Sequence, residues 1–103
     1  MPWIWFASAT PEVVASVEVL PDMSDDYTVL QVKAPDRIGL LYEIAETLSQ
    51  YAIDIRLSKI DSVGTQVVDT FYVETVGGAK LDASQQERIC QALLESLNHS
   101  RLQ

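Results

Sequence analysis

Two short segments of this chain carry the residue types that bind small charged molecules. The first, Ala34–Leu41, places Asp36, Arg37 and Gly39 between a predicted strand and a predicted helix, and the second, Tyr51–Ile55, lies where that helix returns to a strand. A helix start offers free backbone N–H groups, which suit an anionic or zwitterionic ligand. We expect both turns to lie at the same rim of one β-α-β unit. The pattern is typical of a small-molecule sensing site and not of a catalytic one.

The residues of these segments have separable roles. Asp36 is placed to accept hydrogen bonds from an ammonium group, and the N–H groups near Gly39 are placed to bind a carboxylate. The alternatives are that Asp36 only caps the helix and that Gly39 only allows tight packing. Asp54 either contacts the polar end of a ligand or simply begins a strand. The predicted ligand-binding residues are Asp36, Arg37, Ile38, Gly39, Leu40, Asp54 and Ile55.

Asp69 is an acid within an otherwise apolar predicted strand. A functional role is one interpretation of it. Pairing with Arg37 or Lys59 is the interpretation that we favour, because a buried charge is normally paired.

Composition narrows the class of protein. The 103 residues are enough for one domain, and a hydrophobic fraction of 48% allows a substantial core. The formal net charge of −8 repels phosphate backbones and anionic membranes, so we expect neither nucleic acid nor membrane as a partner. Cys90 is the single cysteine, which excludes an internal disulfide and favours a reducing, cytoplasmic setting.

No pattern typical of an active site is present. One histidine, one cysteine and no serine in a nucleophile elbow leave out the common hydrolase arrangements. Gly77 and Gly78 lack the strand-loop-helix context of a phosphate-binding loop. The acidic residues are scattered and form no calcium-binding loop, so we expect no metal and no cofactor.

Hydrophobic periodicity and turn residues predict the order β-β-α-β-β-α. The predicted domain covers residues 13–98, between an N-terminal arm (1–12) with Trp3, Trp5 and Phe6 and a C-terminal tail (99–103). The predicted elements are strands 13–20 and 27–33, a helix over 38–52, strands 53–61 and 66–76, and a second helix that begins with Asp82 and ends near Asn98.

Both predicted helices are amphipathic. The expected buried positions of the first are Ile38, Leu41, Ala45, Leu48 and Ala52, with Ile44 beside them. In the second helix, Asp82 and Gln85 have the spacing of a capping box. Ile89, Leu93 and Leu97 form its apolar face.

The predicted hairpin over 53–76 contains a conflict of phase. Pairing Ser62 with Thr65 would set Ile60 opposite Val67, yet Ile60 then lies on the other face from Ile53. Either a bulge near Leu57 shifts the alternation, or both faces of the sheet are covered. Apolar residues on both faces of the last strand favour the second option. We therefore expect a homodimer or higher homo-oligomer.

Three segments resemble motifs of the ACT domain family: Val32–Tyr42, Asp54-Ile55 and Val67–Val73. Within the family, Ala-Pro-Asp-Arg-x-Gly-Leu-Leu-Tyr and Val-Asp-x-Phe-Tyr-Val are similar to the C-terminal ACT domain of the bacterial PII-protein uridylyltransferase/uridylyl-removing enzymes. The likeness runs from Val13 to Asn98. It implies an α+β, ferredoxin-like fold with a four-stranded antiparallel sheet and two helices on one face. Ile38 stands where the family usually has proline, and Ala52 stands where glycine commonly ends the helix.

The resemblance also implies a function. It predicts a regulatory module of nitrogen metabolism that binds a small amino acid, with glutamine as the first choice, at an oligomer interface. Allosteric control would follow from ligand binding that favours one association state. The alternative is a dimerisation or docking module without a ligand, and an enzyme is the weakest interpretation because catalytic residues are missing.

Overall fold

The computed structural model describes residues 15–101, with side chains up to residue 98, so the N-terminal arm (1–12) lies outside the described residues. The predicted order β-β-α-β-β-α is confirmed. The elements are β1 (Ser16–Val19), β2 (Thr28–Pro35), α1 (Leu40–Gln50), β3 (Ile53–Val63), β4 (Gln66–Thr75) and α2 (Ala83–Arg101).

The strands form one antiparallel sheet in the order β1-β2-β4-β3. β2 and β4 occupy the centre, where Leu30 pairs with Phe71 and Val32 pairs with Asp69. β1 and β3 are the two edges. This arrangement, with both helices against one face, is the ferredoxin-like fold that the resemblance implied.

The core lies between one face of the sheet and the two helices. Its fully buried side chains include Leu30 and Phe71 from the sheet, Ile44 from α1, and Ile89 and Leu93 from α2. Burial of such side chains is the main driving force for folding, at about 1.5–3 kcal/mol each. The predicted apolar face of the second helix is therefore confirmed.

Helix α1 begins two residues later than its apolar pattern predicts. Gly39 is the N-cap residue with φ 84°, and no side chain donates or accepts a capping hydrogen bond there. The prediction that Asp36 caps this helix is wrong, because the left-handed turn at Gly39 moves the start beyond its reach. Ile38 precedes the helix and is fully exposed, and Leu41 is exposed too, so the buried face is carried by Leu40, Ile44, Thr47 and Leu48.

The C-terminus of α1 has the strain that the missing glycine predicts. Ala52 has φ 59°, in the left-handed region where a Cβ atom is unfavourable. Its N–H group donates to the carbonyl of Ser49, and its own carbonyl accepts from the N–H of Val76. These two hydrogen bonds hold the turn in place despite the strain.

Helix α2 begins with the predicted capping box. The Gln85 N–H donates to Asp82 Oδ1 at 2.7 Å, and the Asp82 N–H donates to Gln85 Oε1 at 2.9 Å. One more contact anchors this helix start to the sheet, because the Leu81 N–H donates to the Thr28 hydroxyl at 2.9 Å.

The β3–β4 hairpin differs from the predicted register. Its loop is Gly64-Thr65, with Val63 opposite Gln66, so Ile60 faces Asp69 and not Val67. A bulge lies between Ile55 and Leu57, close to the position at which the first alternative placed one. The bulge resolves the phase conflict, since Ile53 and Ile55 pack on the helix side while Leu57 turns to the open face beside Tyr72.

Within the described range, none of the helices combines the length and the apolar character that a membrane span requires.

Candidate functional site

The β2–α1 loop and the far end of the β3–β4 hairpin enclose a cavity of about 380 Å³. The loop is fastened to the hairpin turn by the Asp36 N–H, which donates to the Thr65 carbonyl at 3.1 Å. The size suits a small organic molecule. The lining residues are Asp36, Arg37, Gly39, Leu40, Leu41, Tyr42, Ile60, Ser62, Val67 and Asp69.

The N-terminus of α1 opens toward this cavity without a capping side chain. The Leu40 N–H donates to the Arg37 carbonyl at 3.3 Å, whereas the N–H groups of Leu41 and Tyr42 have no hydrogen-bond partner among residues 15–98. Uncapped amides together with the positive end of the helix dipole form a binding place for an anionic group. The cavity can therefore hold a carboxylate at this end.

The structure brings together four of the predicted site residues. Asp36, Arg37, Gly39 and Leu40 all line the cavity. Ile38 does not line it, because its fully exposed side chain points into solvent. In the β2–α1 loop, the groups available to a ligand are therefore mainly those of the backbone.

Arg37 is engaged within the protein. Its guanidinium donates to a carboxylate oxygen of Glu43 one turn into α1, and the second oxygen of Glu43 accepts from the Ser96 hydroxyl of α2 at 2.5 Å. This chain of contacts ties the loop to both helices. It leaves Arg37 to position the loop more than to bind a free anion.

Asp54 and Ile55 do not belong to the same rim, and the prediction that the two turns meet is wrong. β3 runs parallel to β2 through their common partner β4, so the start of β3 lies beside the start of β2. The helix between them spans about 16 Å at 1.5 Å per residue and carries the chain to the opposite end of the sheet. Within one copy, these two residues therefore cannot share a ligand with the cavity.

Asp69 lines the cavity and was absent from the predicted site. It is 2% exposed, and its Oδ1 atom has no hydrogen-bond partner among the described residues. The predicted pairing is wrong, since Arg37 binds Glu43 and the Lys59 ammonium lies 5.6 Å from the centre of the Tyr72 ring. Burial, and secondly the negative charge of Asp36, raise the pKa of the Asp69 carboxyl.

A second, shallower groove of about 770 Å³ lies between the two helices. Its lining is acidic, with Glu43, Glu46 and Glu95 beside Tyr51. No set of three or more potential metal-binding side chains comes together within the part of the chain that the structure describes. Cys90 is partly buried, and burial raises the pKa of its thiol, which disfavours the reactive thiolate form.

The fold and the loop site define the class of protein. A family model described as an ACR9-like, ACT-like domain matches residues 16–102, and this chain belongs to the family of ACT-like domains. The class is regulatory and non-catalytic.

Curated relatives specify which branch the domain resembles. The bifunctional uridylyltransferase/uridylyl-removing enzyme of Caulobacter vibrioides is 41% identical over 69 residues, which cover 67% of this chain and 7% of that protein. The proteins of the same name from Cereibacter sphaeroides and Erythrobacter litoralis are each 36% identical, over 76% and 78% of this chain and 9% of their own length. The chain thus matches less than a tenth of each of these relatives, in a segment that has the ACT-like fold.

Proposed function

We propose that this chain is a regulatory module that binds a small amino acid, with glutamine as the first ligand to test, in the cavity between the β2–α1 loop and the hairpin. The observation that carries the proposal is the uncapped start of α1 facing a cavity of about 380 Å³. Free amides at this position suit the α-carboxylate that every amino acid carries.

The proposed site is completed by a second copy of the chain. β3 is an edge strand of 11 residues, and its far half carries the exposed apolar side chains Leu57, Ile60 and Val63. Antiparallel pairing of two β3 strands about a two-fold axis near their middle would bring the start of the partner's β3 to the end of this strand that borders the cavity. A ligand that touches both the loop and the Asp54-Ile55 segment must therefore bridge two copies.

Regulation would follow from linkage between ligand and assembly. A ligand that contacts residues of two copies binds the pair more tightly than the single chain, and it therefore increases the population of the pair. Since the matched relatives are uridylyltransferase/uridylyl-removing enzymes, the same module would act either alone or as a part of a longer protein of that kind.

The test is an NMR titration of the ¹⁵N-labelled chain with glutamine and a panel of other amino acids. We expect saturable shifts at residues 36–41 and 53–55, with a dissociation constant of about 10 µM to 1 mM because the ligand has few atoms. D-Glutamine is the matched control for non-specific effects. Absence of shifts for every amino acid at about 10 mM, well above this range, would refute the proposal.

The second candidate is a pairing module without a ligand. The exposed apolar edge of β3 favours it, since a long unpaired edge is a template for another strand.

Self-association can be tested apart from ligand binding by replacing one edge residue. Leu57 is 49% exposed near the middle of β3, and Leu57→Lys would place two like charges side by side across the two-fold axis. We expect a dissociation constant of the dimer at least about 10-fold higher by sedimentation equilibrium. Met23→Lys alters an equally exposed residue in the β1–β2 connector and should leave the dimer intact. A wild-type chain that remains an 11.5 kDa monomer at micromolar concentration, both without and with glutamine, would refute both candidates that use the edge.

A further inference from the structure

Asp69 is the one acid among the buried residues of the described chain, and its position is central. It lies on β4 between the two neighbouring strands, opposite Val32 on one side and Ile60 on the other. The adjacent positions on the same face, Val67 and Phe71, are buried in the core. A carboxylate in such surroundings loses its hydration and is costly unless another group compensates for it.

No such group is found within the described chain. Oδ1 of Asp69 has no hydrogen-bond partner among the described residues, and the two cations that the sequence suggested as its partners make other contacts. Arg37 is paired with Glu43, and Lys59 stacks over Tyr72 on the open face of the sheet. Asp36, which faces Asp69 across the cavity, adds a second negative charge to the same space.

The cavity therefore presents two complementary binding elements. Asp69 supplies a carboxylate that lacks a partner, and the N-terminus of α1 supplies N–H groups that lack acceptors. A zwitterion carries the matching pair of groups, an ammonium and a carboxylate, on one carbon atom.

We propose that Asp69 receives the ammonium group of the amino-acid ligand, while the first turn of α1 binds its carboxylate. This assignment rests on the proposed function and replaces Asp36 in the role that the sequence suggested for it. Asp36 is exposed, and an exposed ion pair competes with water and contributes little. A charge-assisted hydrogen bond in a buried place is stronger, and it supplies the partner that Asp69 lacks.

The test compares glutamine with glutaramate, which is glutamine without the α-amino group. Titrations followed by NMR on the full chain should show that the wild type prefers glutamine by at least about 10-fold. Asp69→Asn should abolish this preference by weakening glutamine alone. Asp36→Asn should change glutamine binding by less than about 3-fold. Asp61→Asn removes the same charge from an exposed position on the open face and is the control for long-range electrostatics.

The Asn variant is expected to fold, because no described group depends on the Asp69 carboxylate, and Asp69→Val provides a second variant with the same expected loss. Unchanged glutamine binding in both variants would overturn the assignment of Asp69 and leave the amino-acid module standing. Propylammonium, which has an ammonium group but no carboxylate, tests the ammonium site at Asp69 independently of amino-acid binding. If it shifts the ¹³C signal of the Asp69 carboxyl while no amino acid binds, Asp69 is an ammonium site and the proposed function is wrong. If neither probe binds, both proposals fall.

Discussion

Replacing Asp69 by valine is expected to stabilise the protein. The side chain is 2% exposed, and its Oδ1 atom has no partner among the described residues. An unsatisfied buried polar group costs about 1–3 kcal/mol, and a charged one costs more. Valine suits a central strand and packs apolar methyl groups against Val32 and Ile60, which adds about 1 kcal/mol. We expect the free energy of unfolding to rise by about 2–4 kcal/mol at neutral pH.

The pH dependence of this gain is determined by the direction of the pKa shift. Burial and Asp36 raise the pKa of Asp69 above 3.8 in the folded state, whereas the unfolded chain returns it to the ordinary value. The contribution of Asp69 to stability is therefore most favourable below that value and is lost as the pH rises through the raised pKa. Asp69→Val has no such loss, so its advantage over the wild type should grow with pH.

Urea unfolding at equal protein concentration measures this difference. The two proteins are compared at about pH 3.5 and about pH 7.5, on either side of the isoelectric point near 4.3. All other carboxyl groups are common to both and cancel in the comparison. Asp69→Asn separates charge from packing, since it removes the charge and keeps the shape. A valine variant less stable than the wild type at pH 7.5, or an advantage independent of pH, would refute the argument that Asp69 is a buried carboxylate without compensation.

Three further predictions concern the scaffold. Ala52→Gly should raise the free energy of unfolding by about 1 kcal/mol because it removes the strain at φ 59°. Ala45→Gly, within α1, should lower the free energy of unfolding by about the same amount. A melting temperature that is lower for Ala52→Gly than for Ala45→Gly would contradict this prediction. Leu93→Ala should lower the free energy of unfolding by about 2–5 kcal/mol, as measured with urea, because the side chain is fully buried. The control is Gln91→Ala, which alters an exposed side chain and should leave the free energy of unfolding nearly unchanged. Cys90 should react with a thiol reagent near neutral pH more slowly than free cysteine, since burial raises the pKa of its thiol; an equal rate would show that the thiol is accessible.

The sequence predicts those parts of the fold that depend on local signals. The capping box at Asp82 and Gln85 and the apolar face of α2 are confirmed because each involves residues within a turn or two of one another. The start of α1 is less predictable. Its apolar pattern extends back to Ile38, but the left-handed backbone at Gly39 moves the helix start to Leu40.

Features that depend on distant strands are harder to predict. The register of the hairpin was wrong because Gly64 fits either of two tight turns, and only the strands on both sides select Gly64-Thr65 as the loop. The bulge after Ile55 was one of two explanations for the conflict of phase, and the sequence alone did not select it over coverage of both faces of the sheet.

In the candidate site, too, the features that depend on local signals are predictable and those that depend on distant elements are not. The loop from Asp36 to Leu40 is recognisable from its residues, and four of its five residues line the cavity. Asp54 was placed at the wrong rim because its position depends on the direction in which α1 crosses the sheet. For Asp69 a pairing role was favoured over a functional one, because no spacing of residues reveals that its Oδ1 atom lacks a partner.

The unequal lengths of the two sheet edges limit how far an assembly of this protein can grow. β3 offers 11 residues for pairing, whereas β1 offers only four, with the charged side chain of Glu18 exposed. In the proposed pair both copies use the same long edge, so the contact is isologous. Once the pair has formed, neither copy has a free β3 edge. The outer ends of the resulting eight strands are then the two short edges, which are poor templates for a further chain. A pair formed in this way would therefore close at two copies and would not polymerise into a fibre.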